Sequence, residues 1–438
     1  MKTLRIRTRK DLQALEKRLR AHATYSPADE RKVQGILAGV RRKGDKALLQ
    51  YARRFDGFEG GSADLRLAAS DIQAAHAAVS PQFKKAISQA IANIRAYQEK
   101  LRPKPWRQHL RPGVLLGQLV RPLQRVGLYV PGGEAPLVST VLMLAVPAKV
   151  AGVSDIALCT PSRGGQGVDP RIIVAADMAG VKEIYQVGGA HAIAALAFGT
   201  ASIPKVDKVV GPGNRFVTLA KRMIFGHTGI DMLAGPSECL VLADDSAPAA
   251  WVAADLLSQA EHAGDEAAVL VTPSEKLVKA VQMELKKQLA ALPRRKVAAQ
   301  SLAKHGLIVL VKDIWAAVEV AELVASEHLQ LMVRDAEKVL PKIKAAGAIF
   351  VGPYTPVALG DFLAGPSHVL PTGGTARFSN GVSVEDFVTK SSIIGYTRQA
   401  LQDAVEDLEA IGSAEGLQAH VRSATVRLSP VRSKKLRQ

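Results

Sequence analysis

At 438 residues the chain is long enough for more than one hydrophobic core, since single cores stop growing near about 250 to 300 residues. Hydrophobic residues make up 47% and charged residues 22%, which excludes a disordered or fibrous chain. The net charge of +18 raises the question of nucleic acid, but the basic clusters at 5–20, 41–43, 294–296 and 431–437 are scattered. Aromatics are only 5% and do not interleave with them, so no nucleic-acid partner is expected.

The opening residues are charged and lack an apolar signal core. The longest apolar run, 137–153, is broken by Pro147 and Lys149, so neither a signal peptide nor a membrane span is expected. Cys159 and Cys239 lie inside apolar, strand-like runs and read as buried thiols of a cytoplasmic protein. Residues 10–103 read as helices, the longest over 27–55 and 81–100, with apolar residues at three-to-four spacing. From 113 the pattern changes to short apolar runs, ending in a strand that enters the Pro131-Gly132-Gly133 turn.

Strands at 155–159, 183–187 and 208–210 then alternate with helices at 170–179, 191–198 and 215–225, the pattern of a helix-covered parallel sheet. Two strand-to-helix turns are glycine-rich, Val187-Gly-Gly-Ala-His191 and Val210-Gly-Pro-Gly-Asn214. Each is expected to leave backbone N–H groups free at the carboxyl end of a strand, where such sheets bind nucleotides, although neither fits G-x-G-x-x-G. A second array follows, with strands at 239–243, 267–272, 307–311, 329–333 and 348–351. Two such units imply a cleft, lined by the polar link 229–238. Residues 352–380 form a long loop, and 398–428 reads as two helices broken at Gly412.

Four polar clusters carry candidate chemistry. A helix starting near Ser246 and Pro248 and stopping at Gly264 puts Gln259 and His262 on one face, with Asp255 a turn earlier; this is a plausible ligand pair or an ordinary solvated face. Glu327-His328 offers two proton-handling groups between a helix and a strand. Asp361 and His368 flank Phe-Leu-Ala-Gly-Pro-Ser in the long loop and suit ligands or turn residues alike. Glu415 and His420, five apart, do not share a helix stripe.

Taken in order, Gly127-Leu-Tyr-Val-Pro-Gly-Gly133, Gly211-Pro-Gly-Asn214, Asp231-Met-Leu-Ala-Gly-Pro-Ser-Glu238, Ser258-Gln-Ala-Glu-His262, Ser326-Glu-His-Leu329, Gly365-Pro-Ser-His-Val-Leu-Pro371 and Glu415-Gly-Leu-Gln-Ala-His420 strongly resemble the histidinol dehydrogenase family, from about residue 25 to residue 428. The resemblance implies a zinc- and NAD-dependent enzyme oxidising L-histidinol to L-histidine through an aldehyde, the last steps of histidine biosynthesis. Oxidation of another small polar alcohol is the alternative.

It implies Gln259, His262, Asp361 and His420 as zinc ligands, Glu327 and His328 as the catalytic pair, and Ser237, His368 and Glu415 as substrate contacts. Tyr129, His191 and Asn214 would contact the cofactor. The family usually has Gln where this chain has His191, which changes reach and charge, and Leu233 replaces a more usual Pro. The implied fold is α/β, with two Rossmann-like parallel-sheet domains, a helical N-terminal region and a small helical C-terminal dimerisation segment. Its expected divisions are an arm over 1–25, a first α/β domain from 26–128 and 239–381 carrying most of the site, a cofactor-contacting domain over 129–238, and a dimerisation segment over 382–438. The implied assembly is a homodimer in which Glu415 and His420 complete the partner's site.

Overall fold

A computed structural model describes residues 1–20, 26–132, 136–162, 165–262 and 264–429. Gly133 of the first glycine turn and the basic run 431–437 lie outside these residues. The chain divides into two compact units, one of Met1–Arg102 with Leu123–Phe387, the other of Pro103–Pro122 with the residues from Val388 onward.

In chain order the strands are β1 (Lys2–Arg5), β2 (Trp106–Arg111), β3 (Val114–Pro122), β4 (Arg125–Tyr129), β5 (Asp155–Cys159), β6 (Glu183–Tyr185), β7 (Lys208–Val210), β8 (Gly229–Ile230), β9 (Glu238–Ala243), β10 (Ala267–Thr272), β11 (Leu307–Leu310), β12 (His328–Met332), β13 (Ala348–Val351) and β14 (Val388–Tyr396). The larger unit holds two parallel sheets, of order β6-β5-β4-β7-β8 and β1-β11-β10-β9-β12-β13. Each reverses its strand order beside a central strand, between β4 and β7 in one and between β9 and β12 in the other; such a reversal is where open α/β sheets form a crevice. The α/β, parallel-sheet reading of the sequence holds.

The strands are apolar and β-branched because both faces are covered. Helices Pro27–Lys43, Asp45–Asp56, Gly189–Phe198 and Arg215–Ile224 pack one face of the five-stranded sheet around Val33, Leu48, Ile193 and Leu219. Helix Val138–Ala151 is apolar all round and buried almost throughout, as a helix enclosed on every side must be. Among the described residues no helix is long and apolar enough to cross a membrane. Across the six-stranded sheet, Cys239, Val241 and Met332 face helix Ala249–Ala260, while Leu240, Leu242, Leu329 and Leu331 face helix Ile314–Val324. His328 and Gln330 alternate with Leu329 and Leu331 and therefore share the face toward Ala249–Ala260.

Several local expectations are corrected. The helix read over 27–55 is two helices, because Gly44 at φ 53° breaks it. The tail breaks at 415–417 instead of Gly412, since helix Arg398–Ala414 runs through that glycine and Gly416 takes the positive φ of 72°. The smaller unit is more than helical: β14 and β2 flank β3 in an antiparallel sheet.

Candidate active site

Helix Ile314–Val324 ends on Ala325, the one non-glycine residue with positive φ (48°) among the described residues. An L-residue pays for that conformation with a clash between its Cβ and the backbone, so it survives only where the surroundings enforce it. The turn delivers Glu327 and His328 to the start of β12, beside the start of β9, where His328 pairs with Cys239. The pair therefore sits at the sheet's order reversal but at the amino ends of the strands, opposite to the usual carboxyl-end crevice.

Both side chains are buried, Glu327 at 5% and His328 at 6% exposure. Glu327 Oε2 accepts the Glu238 N–H at 3.1 Å and lies 3.8 Å from His328 Nδ1, while His328 Nε2 lies 3.8 Å from the Asp361 carboxylate. Neither imidazole nitrogen has a hydrogen-bond partner. Burial pushes the Glu327 carboxyl up to about 8, against the opposing pull of the Glu238 N–H and the Ser237 hydroxyl. Burial also drives the His328 imidazole down to about 4, outweighing the attraction of Asp361. Glu238 is raised to about 7, again by burial, with the Gly373 amide and Arg377 opposing.

Asp361 lies in the short helix Val357–Phe362. His368 closes its loop: Nδ1 is 2.8 Å from the Asp361 carbonyl oxygen, and Nε2 is 3.2 Å from Thr140 Oγ1 on helix Val138–Ala151. Ser237 is half-buried, immediately before β9. Helix Ala249–Ala260 buries Gln259 in its last turn, with the amide Nε2 unpartnered. The helix stops before His262, which is exposed and lies beyond the Glu261 cap, so Gln259 and His262 do not share a helical stripe as expected. His262 is nevertheless within electrostatic range of His328 and His368. Glu415 and His420 are exposed residues of the smaller unit, at the cap of one helix and within Gln418–Thr425. Among the described residues no group of three or more His, Cys, Asp or Glu is assembled to hold a metal; of the four expected ligands one is a Gln and another belongs to the smaller unit.

The glycine turns stand at the carboxyl ends of β6 and β7. Three of the N–H groups in these turns are taken by side chains: Asp56 Oδ2 accepts from Gly188 at 2.9 Å, the Tyr129 hydroxyl from Gly189 at 3.0 Å, and Asp231 from Gly211 at 2.8 Å. His191 is 1% exposed, with Nε2 3.0 Å from the same Asp56 oxygen and its ring beside both members of the stacked Tyr51–Phe55 pair. Asn214 is exposed and caps helix Arg215–Ile224 through Oδ1. Gly211 approaches so closely that a Cβ there would lie 2.2 Å from the Tyr129 carbonyl oxygen.

Sequence reasoning missed Glu238 and Asp56. The first could have been found as the residue opening a strand beside Glu327-His328; the second, 135 positions from His191, leaves no local signal.

A buried acid beside an imidazole with two unpartnered nitrogens, at the order reversal of a parallel sheet, defines an α/β enzyme equipped for proton transfer. Residues 19–428 match the family described as Histidinol dehydrogenase. Histidinol dehydrogenase of Bacillus thuringiensis subsp. konkukian is 47% identical over 398 residues, covering 91% of this chain and 92% of the relative. That of Moorella thermoacetica is 49% identical over 396 residues, covering 90% and 93%. The crystal structure of histidinol dehydrogenase from Elizabethkingia anophelis superposes with a TM-score of 0.93 at 36% identity, covering 99% of both chains. The chain belongs to the histidinol dehydrogenase family.

Proposed function

We propose that this oxidoreductase converts L-histidinol to L-histidine through L-histidinal, using two NAD, in the last steps of histidine biosynthesis. The observation that carries the reading is the Glu327–His328 pair beside Asp361, buried and otherwise unpartnered at the imidazole, in a chain of this family. His328, with its imidazole lowered to about 4, is neutral near pH 7 and can accept the substrate hydroxyl proton. Glu327 holds its own proton up to about pH 8, so drawing a proton from the water that hydrates the aldehyde needs its ionised form, and the second oxidation gains as pH rises toward 8. The Glu238 N–H and Ser237 hydroxyl favour that ionised form and keep the carboxylate in place.

Gln259, His262, Asp361 and His420 are the proposed zinc ligands. Two imidazoles, a carboxylate and an amide suit a borderline cation, and the unpartnered buried amide of Gln259 fits the set. When bound, zinc would anchor and orient the substrate while NAD accepts hydride. Ser237, His368 and Glu415 would contact the substrate, with Glu415 countering its ammonium group and His368 holding the Asp361 loop. Asn214 would meet the cofactor from solvent, while Tyr129 and His191 shape the turn beside it. In a homodimer, Glu415 and His420 would complete the site of the second copy; both are exposed, as that role requires. The buried free thiols Cys159 and Cys239 support a cytoplasmic setting.

The test is NADH formed per molecule of L-histidinol consumed by zinc-loaded protein, with a chelator-treated control. About two NADH, lost on chelation, are expected for a four-electron oxidation. No NADH from histidinol, with turnover of another amino alcohol, would overturn the substrate assignment.

A further inference from the structure

Helix Ala249–Ala260 carries two buried polar side chains whose hydrogen-bonding capacity is unused. Asp255 is 7% exposed and its Oδ2 has no partner; Gln259, one turn on, is 4% exposed and its Nε2 has no partner. One atom is an acceptor and the other a donor, four residues apart on one stripe, a spacing at which Asp and Gln side chains reach each other. Leaving a buried polar group unsatisfied costs its full desolvation, so two of complementary sign on adjacent turns point to a state in which they meet. Cys239, across from the helix, lies within electrostatic range of Asp255, Asp361 and Glu327 together, which puts Asp255 in the neighbourhood of the active site.

We propose that Asp255 is a positioning residue for Gln259: its carboxylate accepts from Gln259 Nε2 and so turns the amide oxygen, Oε1, toward the cation. This rests on the reading of Gln259 as a zinc ligand. Amide oxygen and nitrogen are nearly equal in size, and an N–H aimed at a cation repels it, so a ligand amide needs a partner that selects its orientation. Gln330 and the neutral His328 imidazole also offer unused acceptors on this face, but Gln330 Nε2 is tied to the Gly352 carbonyl at 3.2 Å, and a neutral acceptor binds an N–H less strongly than a carboxylate.

The experiment measures zinc affinity of the full chain by competition with a chromophoric chelator, alongside thermal melts of the zinc-free protein. The variants are Asp255→Leu, Asp255→Asn and Gln259→Ala. Asp255→Leu is expected to weaken zinc by about 10- to 100-fold, the usual effect of losing the group that orients a ligand, without lowering the zinc-free melting temperature. Asp255→Asn retains an accepting oxygen and should lose less. Wild-type affinity in Asp255→Leu, with affinity lost in Gln259→Ala, would overturn the proposal and leave the ligand reading standing. Wild-type affinity in Gln259→Ala would remove the ligand reading and the proposal with it. Equal losses of affinity and of melting temperature in both Asp255 variants would make the residue merely structural and also overturn it.

Discussion

Glu327 and His328 are sequence neighbours that burial moves in opposite directions, one toward holding its proton and the other toward releasing it. The consequence for stability has a definite sign. Glu327 titrates near 4.5 when unfolded and about 8 when folded, so its contribution is fully present below 4.5 and is lost as pH rises toward 8. His328 titrates near 6.5 unfolded and about 4 folded, so its contribution is lost as pH falls from 6.5 toward 4. The two effects oppose each other between 4.5 and 6.5; above 6.5 the carboxyl acts without the imidazole, with Glu238 adding to it up to about 7. Zinc-free protein should therefore lose about 2 kcal/mol between pH 6.5 and 8, read from urea midpoints, and Glu327→Gln should remove most of that slope. A variant that kept the full slope would show that burial of this carboxyl does not set it. The dipeptide itself was legible because acid and imidazole adjoin. Its control was not, since the Glu238 N–H comes from 89 positions away and hydrogen bonds across such distances leave no pattern in the chain.

At the scale of elements, the strands over 155–159, 208–210, 267–272 and 348–351 fall on the boundaries read from sequence, because strands covered on both faces are continuous apolar runs. β14 was not read: its residues are mostly exposed, so no buried face imposes a period. The helix before His262 ended early because its cap, Glu261, is an ordinary right-handed residue carrying no stop signal. The left-handed Ala325 was invisible for the converse reason, as alanine favours helix and only tertiary context holds it otherwise. The strand pair bearing the site also admits a sharp test. A Cβ on Gly347, just before β13, would lie 2.5 Å from the Glu327 carbonyl oxygen and 3.2 Å from Leu370 Cβ. Gly347→Ala should push β13 from β12 and shift the acid, lowering kcat by about 100-fold while circular dichroism still reports a folded chain. Unchanged kcat would mean that β12 tolerates the displacement without moving Glu327.

For the molecule as a whole, the proposed exchange of Glu415 and His420 between copies is testable without any new structure. His420→Ala and His328→Ala proteins, each inactive alone, should regain activity when mixed under conditions of demonstrated subunit exchange, because one site per mixed dimer would be intact. No recovery would remove the crossed-site arrangement. The family motifs were legible across most of the chain, but which copy receives the tail could come only from the resemblance, since two exposed residues in a separate compact unit carry no address.

The placement of the Glu327–His328 pair at the amino ends of the strands has an electrostatic consequence. Crossover helices run against their strands, so at this edge of the six-stranded sheet they arrive by their carboxyl termini: Ala249–Ala260 ends one residue past Gln259, and Ile314–Val324 just before Glu327. Aligned peptide dipoles make such termini partly negative, favouring a cation by about 0.3 to 1 kcal/mol each. At the carboxyl edge of the five-stranded sheet, Gly189–Phe198 and Arg215–Ile224 instead present partly positive amino termini. The backbone thus sorts charge before any side chain is counted, with one edge favouring positive charge and the other negative.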